Sequence, residues 1–390
     1  MKITDVKVYF LTMPFPKEFI DADTFSKGAE KDFSWYLVKV FTDEGIVGIG
    51  GQGVYDPNMS TGWANFIEKS VRPFLIKEIV DPLFIEKFSK YINLQAPGIY
   101  PAPRPCCVEM ALWDILGKKA NLPIYKILGA TKNKVKAYAS LLEPYPLLTP
   151  KEWAKFVKDT HEVGFKAVKL HIGANWGQEA PKNILDVVEA VRNELGDDIE
   201  IMIDVMKAWH TLYPFDYKTA LKLAKGLEKY NVLFLEEPLP HIHNPELCSR
   251  LCNSVDIEIA GGGAMCGWQS YKTVLEKGAL DIVEPDIQFA GGISEVRKIA
   301  FLAEVYGKKC IPHFWGPGIA LAATLQLIGS IDSPYVEYNF HPPAWVPEAR
   351  DAMLKEPIKI DKEGYVKIPD GPGLGVELDE ENIERYTVIK

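Results

Sequence analysis

From about residue 135 the chain repeats one unit: a short apolar run, a turn, and an amphipathic stretch of helical length. The apolar runs fall at 135–140, 167–172, 200–204, 232–236, 257–260, 281–284, 309–312 and 335–338. Between them, segments such as 150–163, 180–194, 216–229 and 294–306 space their apolar residues three and four apart, as a helix with one buried face does. Strand–helix alternation predicts a parallel sheet. Eight strands in roughly 200 residues fit a closed barrel better than an open doubly wound sheet.

The pattern before residue 130 is different. Residues 3–12, 35–41 and 46–50 alternate apolar and polar positions, with Asp43, Glu44 and Gly45 as a hairpin turn. Two Gly- or charge-rich insertions, 14–32 and 50–59, read as loops able to close over a ligand. Helical periodicity follows at 63–79, 82–92 and 104–120. The expectation is an α+β capping domain at 1–130, an α/β barrel of the modified TIM type at 131–340, and a segment at 341–390 that returns to the cap.

Polar residues at the ends of the apolar runs change the picture from fold to chemistry. The third run ends in Asp204 and the fourth in Glu236. Parallel strands put their C-terminal ends on one face, where α/β barrels carry their sites. Side by side, two such carboxylates are hard oxygen ligands of the kind Mg2+ takes, or else partners for Lys or Arg. Lys169 and His171 end the second run, Asp286 (with Gln288) follows the sixth, His313 the seventh, and Glu337 lies in the eighth. Singly, each has a structural reading. Together on one rim they need a function to offset their desolvation and repulsion.

Composition narrows the classes. The 390 residues are 47% hydrophobic and 25% charged, with a net charge of −9 and no basic run, which argues against nucleic acid. No apolar run reaches membrane-spanning length, and the first ten residues do not read as a signal peptide. The six cysteines show no zinc spacing; Cys248 and Cys252 share a helix face as core residues, which suits reduced thiols in a cytoplasmic setting. His241 and His243 read as solvated loop residues outside the site.

Several segments then carry a resemblance over nearly the whole chain. They are 109–115 with 122–125, 167–173, Glu236-Glu237-Pro238, 259–262, Pro312-His313 and 372–378. Together they resemble the enolase superfamily, specifically the mandelate racemase subgroup with its sugar-acid dehydratases. The resemblance implies abstraction of the proton α to a carboxylate, giving an enediolate held on Mg2+. By position it makes Asp204 and Glu236 metal ligands and sets Lys169 near the substrate carboxylate. His171 becomes the base on one face, and His313, oriented by Asp286, the base on the other. Glu337 becomes the acid that hydrogen-bonds a substrate carboxylate oxygen.

Two positions depart from the family pattern. Gly263 stands where a third metal-binding Glu is expected, and Met206 where a polar Asn is expected. The expectation is a homo-oligomer acting on a small carboxylic acid, with no nucleic-acid or membrane partner. It leaves three functions to weigh: a sugar-acid dehydratase, a racemase or epimerase, and a barrel that has lost catalysis.

Overall fold

The computed structural model describes residues 1–19, 30–53, 60–95, 104–144, 147–173, 176, 179–208 and 214–389. Strands β1 (Ile3–Phe19), β2 (Glu30–Thr42) and β3 (Val47–Gly53) form an antiparallel meander. Its turn is the expected one, with Gly45 at φ 78° and its N–H bonded to the Thr42 carbonyl. β2 is buried on both faces. Tyr36, Val38 and Val40 join the cap's own helices, whereas Trp35 and Leu37 join the barrel core. One strand thus docks the cap onto the barrel.

The helix Cys106–Ala120 packs across this sheet. The approach is close enough that a Cβ on Gly50 would lie 1.8 Å from the Cys107 carbonyl oxygen. Two carboxylates of this helix tie the cap to the rest of the chain. Buried Glu109 accepts from the N–H groups of Ile293 and Ser294, satisfying donors in the first turn of the helix Ile293–Val305. Asp114 accepts from the N–H groups of Ile49 and Leu374.

Three expectations need correction here. Segment 14–32 is not all loop: β1 runs to Phe19 and β2 starts at Glu30, and these two residues pair. The charges of that segment obscured Phe15 and Phe33, whose ring centres lie 4.9 Å apart at a tilt and which pack against Trp345. Segment 50–59 likewise begins as strand, to Gly53; residues 20–29 and 54–59 lie outside the described residues. The single helix expected at 63–79 is broken into Ser60–Phe66, a π-helical turn Ile67–Val71, and Arg72–Leu75.

The barrel strands are β4 (Lys134–Leu141), β5 (Ala167–His171), β6 (Glu200–Asp204), β7 (Phe234–Glu236), β8 (Glu258–Gly261), β9 (Ile282–Val283), β10 (Lys309–Cys310) and β11 (Tyr335–Asn339). All eight pair in parallel, in the order β10-β9-β8-β7-β6-β5-β4-β11. β9 and β10 are shorter than expected, because the residues after them leave the ladder for the rim. Where the main-chain ladder ends between β10 and β11, the Glu337 side chain accepts from the Phe314 N–H at 2.9 Å.

The C-terminal segment serves both units. β12 (Tyr365–Lys367) pairs antiparallel with β4, and β13 (Thr387–Ile389) adds an edge to β1. Lys39 of β2 holds Glu380 at 2.6 Å. The fold is a modified TIM-type barrel whose cap is completed by the tail. Among the described residues, no helix is long and apolar enough to cross a membrane.

Candidate active site

Inside the barrel, Tyr138, Ala167, Met202, Phe234, Ala260, Ile282 and Ile311 pack into an apolar floor. Side chains alternate along a strand, so the residue two positions on points the same way. Those residues are Ser140, Lys169, Asp204, Glu236, Gly262, Glu284 and His313, and Glu337 stands two beyond Tyr335. One step along each strand therefore replaces the apolar plug with a charged layer.

Lys169 lies at the centre of that layer, fully buried. Its ammonium is 2.6 Å from Glu236 and 2.8 Å from Glu337. Burial opposes its charge, but the two carboxylates outweigh this and raise its pKa well above the ordinary lysine value. Glu337 also accepts from the Ser140 hydroxyl at 2.7 Å. Burial alone would raise Glu337; Lys169, His313 and His171 reverse that and bring it to about 2. Both its oxygens are occupied by donors within the protein.

The two histidines are held in opposite states. His171 Nε2 lies 2.9 Å from the Ser140 oxygen. The Ser140 proton goes to Glu337, which only accepts, so Nε2–H must be the donor and the neutral ring keeps a bare Nδ1. That nitrogen has no hydrogen-bond partner and stands 3.4 Å from Asp204. Burial first, then the Lys169 charge, pushes His171 down to about 3. His313 Nδ1 instead donates to Asp286 at 2.8 Å. Burial opposes its charge, but Glu337 and Asp286 push it up to about 9. Burial also raises Asp286, yet the imidazole between two carboxylates keeps the proton.

The cap reaches this dyad. Gly53 N–H donates to Gln288 Oε1 at 2.7 Å, and Gln288 Nε2 lies 3.2 Å from both Asp286 oxygens. Trp315 stands beside His171, with ring centres 6.3 Å apart, and packs on Trp345 at 4.8 Å.

At the rim, Asp204 and Glu236 are paired strand neighbours. Asp204 Oδ1 accepts from Met206 N–H at 2.7 Å. Met206 and Glu237, just past these two acids, adopt φ of 50° and 52°. Left-handed backbone at non-glycine residues costs energy and clusters at functional sites.

The donor chemistry suits a hard divalent cation such as Mg2+. Asp204, Glu236, Glu237, Glu284, Asp286 and Glu337 are all buried, outnumbering Lys169, His313 and the nearby Lys207. Both oxygens of Glu284 and Oε2 of Glu237 are buried without a hydrogen-bond partner. Burial and Glu236 raise Glu284 well above the ordinary carboxylate range; burial, Asp204 and Glu236 do the same for Glu237. Among the described residues, no group of three His, Cys, Asp or Glu side chains is already arranged to hold a metal.

Lys169, His171, Asp204, Glu236, Asp286, His313 and Glu337 are thus gathered at one end of the barrel. Sequence reasoning missed Ser140, Glu237 and Glu284. Alternation from Ile282 through Glu284 to Asp286 would have found Glu284, and from Tyr138 it would have found Ser140; nothing in the pattern marks Glu237. His241 needs correction: it is buried, not solvated, with both ring nitrogens unpartnered, because its ring packs against Gly261. His243 is exposed, as expected. Gly263 does not sit at positive φ, but a Cβ there would lie 3.0–3.1 Å from two His313 ring atoms. A side chain at 263 would therefore be tight, and the His313 ring would have to give by a few tenths of an ångström to admit it.

Residues 22–129 match the mandelate racemase / muconate lactonizing enzyme N-terminal domain, and 152–382 the enolase C-terminal domain-like family. The chain belongs to the enolase superfamily. It is 33% identical to the arabinonate dehydratase of Saccharolobus solfataricus, over 98% of this chain and 99% of that one. The D-galactonate dehydratase of Cronobacter sakazakii is 32% identical, over 90% of each. A racemase from Streptomyces coelicolor A3(2), solved with bound magnesium, shares the fold with a TM-score of 0.82 at 24% identity, covering 99% of this chain and all of that one. As an enolase superfamily member, the chain carries the mandelate racemase type of cap and barrel.

Proposed function

We propose that this chain is a dehydratase of a sugar acid, removing the proton α to the carboxylate and expelling the β-hydroxyl as water. The observation that carries the reading is the Asp286–His313 pair. A purely basic site would hold its imidazole neutral, whereas this one is bonded to Asp286, faces Glu337 and is held protonated. An imidazolium poised at the mouth is a general acid for a leaving hydroxide. Dehydratases among the relatives support the same reaction class.

His171 is the group that can take the α-proton, at its bare Nδ1. Its basicity is low without substrate; the negative charge of a carboxylate substrate and its enediolate raises it as the proton moves. His313 then gives its Nε2 proton to the departing β-oxygen. Asp286 keeps the ring oriented and stabilises its charge. Lys169 acts from within the layer, fixing Glu236 and Glu337 rather than reaching into the mouth. Glu337, ionised and bonded to Lys169, Ser140 and the Phe314 N–H, sustains the charges of Lys169 and His313.

Asp204 and Glu236 are the residues that would hold Mg2+, which when bound neutralises the substrate carboxylate and the developing enediolate. Trp315 stands beside His171, backed by Trp345, and would limit water on that side of the ring.

The test is a screen of acid sugars with Mg2+ in deuterated buffer, read as 2-keto acid by colour reaction and by NMR. A 2-keto-3-deoxy product supports dehydration. Recovery of α-deuterated, inverted acid without keto product would make the protein an epimerase instead. No turnover of any acid by folded, Mg2+-supplied protein would leave a barrel without this chemistry.

A further inference from the structure

Strand β11 does not stop at the charged layer. Tyr335 packs on the apolar floor and Glu337 bonds Lys169, whereas Val336 and Tyr338 face the outer core. Alternation therefore turns Asn339, the last residue of β11, inward and one step nearer the mouth. Asn339 pairs in register with Ser140 of β4, whose hydroxyl oxygen lies 2.9 Å from His171 Nε2. The amide is thus placed on the His171 side of the mouth.

Asn339 is fully buried, and neither its amide nitrogen nor its amide oxygen has a hydrogen-bond partner. Both ends are unmet, so the assignment of oxygen and nitrogen does not affect the argument. The contrast is Gln288, whose amide is used at both ends, by Gly53 on the oxygen and by Asp286 and the Trp315 carbonyl on the nitrogen. Folded proteins seldom bury an amide with no partner for either end. What would satisfy it must both donate and accept. A carboxylate only accepts and would meet the NH2 end alone, whereas a hydroxyl meets both.

The wall beside it is aromatic. His341 and Trp345 exchange backbone hydrogen bonds of 2.7 and 2.9 Å, so Trp345 stands on the hairpin into which Asn339 leads. Trp345 packs on Trp315, and Trp315 lies beside His171. Ring surfaces accept the C–H bonds of a carbon chain, and a few placed polar groups fix its orientation.

We propose that Asn339 is a specificity residue, binding a hydroxyl that the acid carries beyond its β-carbon, with Trp315 and Trp345 as the wall along that part of the chain. This rests on the dehydratase reading and deepens it by naming the residue that selects a polyhydroxylated chain. The competing use of the amide is an enclosed water held between protein groups.

The experiment is a cycle between residue and hydroxyl on the intact chain. Its probes are the acid identified by the screen above and analogues of it that lack, one at a time, each hydroxyl beyond the β-carbon. For one analogue the parent should lose about thirtyfold or more in kcat/KM. Asn339→Leu should treat that analogue and the complete acid alike to within about threefold, having lost its advantage with the complete acid mainly through KM. Without acid, Asn339→Leu should melt no lower than the parent, because the amide it removes bonds nothing in the protein. If circular dichroism shows Asn339→Leu misfolded, Asn339→Ala decides by the same thresholds, since it needs no added space. A variant that melts lower and discriminates as the parent does would assign the amide to an enclosed water and overturn the proposal. A parent that dehydrates the acid but distinguishes no hydroxyl beyond the β-carbon overturns it too and leaves the dehydratase reading standing. A parent that dehydrates no acid overturns both.

Discussion

Tyr138, Met202, Phe234, Ile282 and Ile311 form the barrel floor, and two positions further along the same strands stand Ser140, Asp204, Glu236, Glu284 and His313. Both layers are removed from water, yet they are built on opposite rules. The floor is stabilised by area alone, each large side chain contributing about 1.5–3 kcal/mol by burial. The upper layer gives up that gain and incurs desolvation of charges that only specific partners offset. In Lys169 and Glu337 the offset is complete: each pairs with the other and with further groups. In Glu237 and Glu284 it is not. The difference teaches where function lies, because natural cores seldom retain unpaired carboxylates without a use for them.

The largest effect expected from breaking the upper layer is on turnover. His313→Asn should lower kcat by about four orders of magnitude, or about 5 kcal/mol of barrier, with circular dichroism unchanged. An active variant would remove the dyad from the mechanism. The pH profile sharpens this. His313 works as an acid, so activity should hold below its pKa of about 9 and fall as pH rises through it. Asp286→Asn should move that limb to lower pH. Stability follows a different window: a pKa raised in the folded state contributes fully below about 6.5 and is lost progressively between there and about 9.

The counterpart in the floor is Phe234→Ala. Truncating a buried aromatic should cost about 3–5 kcal/mol of stability, read by denaturant unfolding. Where the variant remains folded, its alkaline limb should not move. A shifted limb would mean that the floor tunes the dyad and that the two layers are not separable.

These two layers also explain what the sequence could and could not reveal. The eight apolar runs and the carboxylates ending them are local features, so the barrel and Asp204, Glu236, Asp286 and His313 were legible from spacing. Tethers that depend on distant segments were not. Ser140 matters only because β11 brings Glu337 beside it, 197 residues away. Glu237 looked like the second half of a motif, and nothing local revealed its left-handed backbone or the unpartnered oxygen it buries. The long β1–β2 hairpin was hidden for the same reason, since its aromatic residues find their partner in Trp345.

A smaller change would convert part of one layer into the other. Glu284→Met replaces an unpartnered buried carboxyl by an apolar side chain of similar reach, continuous with Ile282 below it. Replacing buried ionisable groups by well-packed apolar ones is often stabilising by about 1–4 kcal/mol, and the lower half of that range is expected here in metal-free protein. Calorimetric melting checks it. A destabilised variant would show that the Glu284 carboxyl stabilises the fold despite lacking a hydrogen-bond partner.

The smallest effect concerns the seam between cap and charged layer. Gln288 receives the Gly53 N–H on its carbonyl and offers its amide to Asp286, so one side chain joins a cap strand to the carboxylate that orients His313. Gly53 and Gly316 both crowd it: a Cβ on Gly316 would approach its amide oxygen to 2.4 Å, and one on Gly53 to 3.4 Å. The tether is therefore held in one position by packing as well as by bonds. Gln288→Leu keeps the volume and deletes the side-chain hydrogen bonds to Gly53, Asp286 and the Trp315 carbonyl. Each such bond is worth about 1 kcal/mol, so kcat should fall about fivefold. KM should rise as well, since the cap would be less firmly placed over bound substrate. The alkaline limb should also shift, because Asp286 would lose a donor that favours its charged form. A scaffold residue would alter stability and leave both KM and the limb alone. Unchanged kinetics in a folded Gln288→Leu protein would mean that the cap and the dyad, though bonded through one amide, act independently.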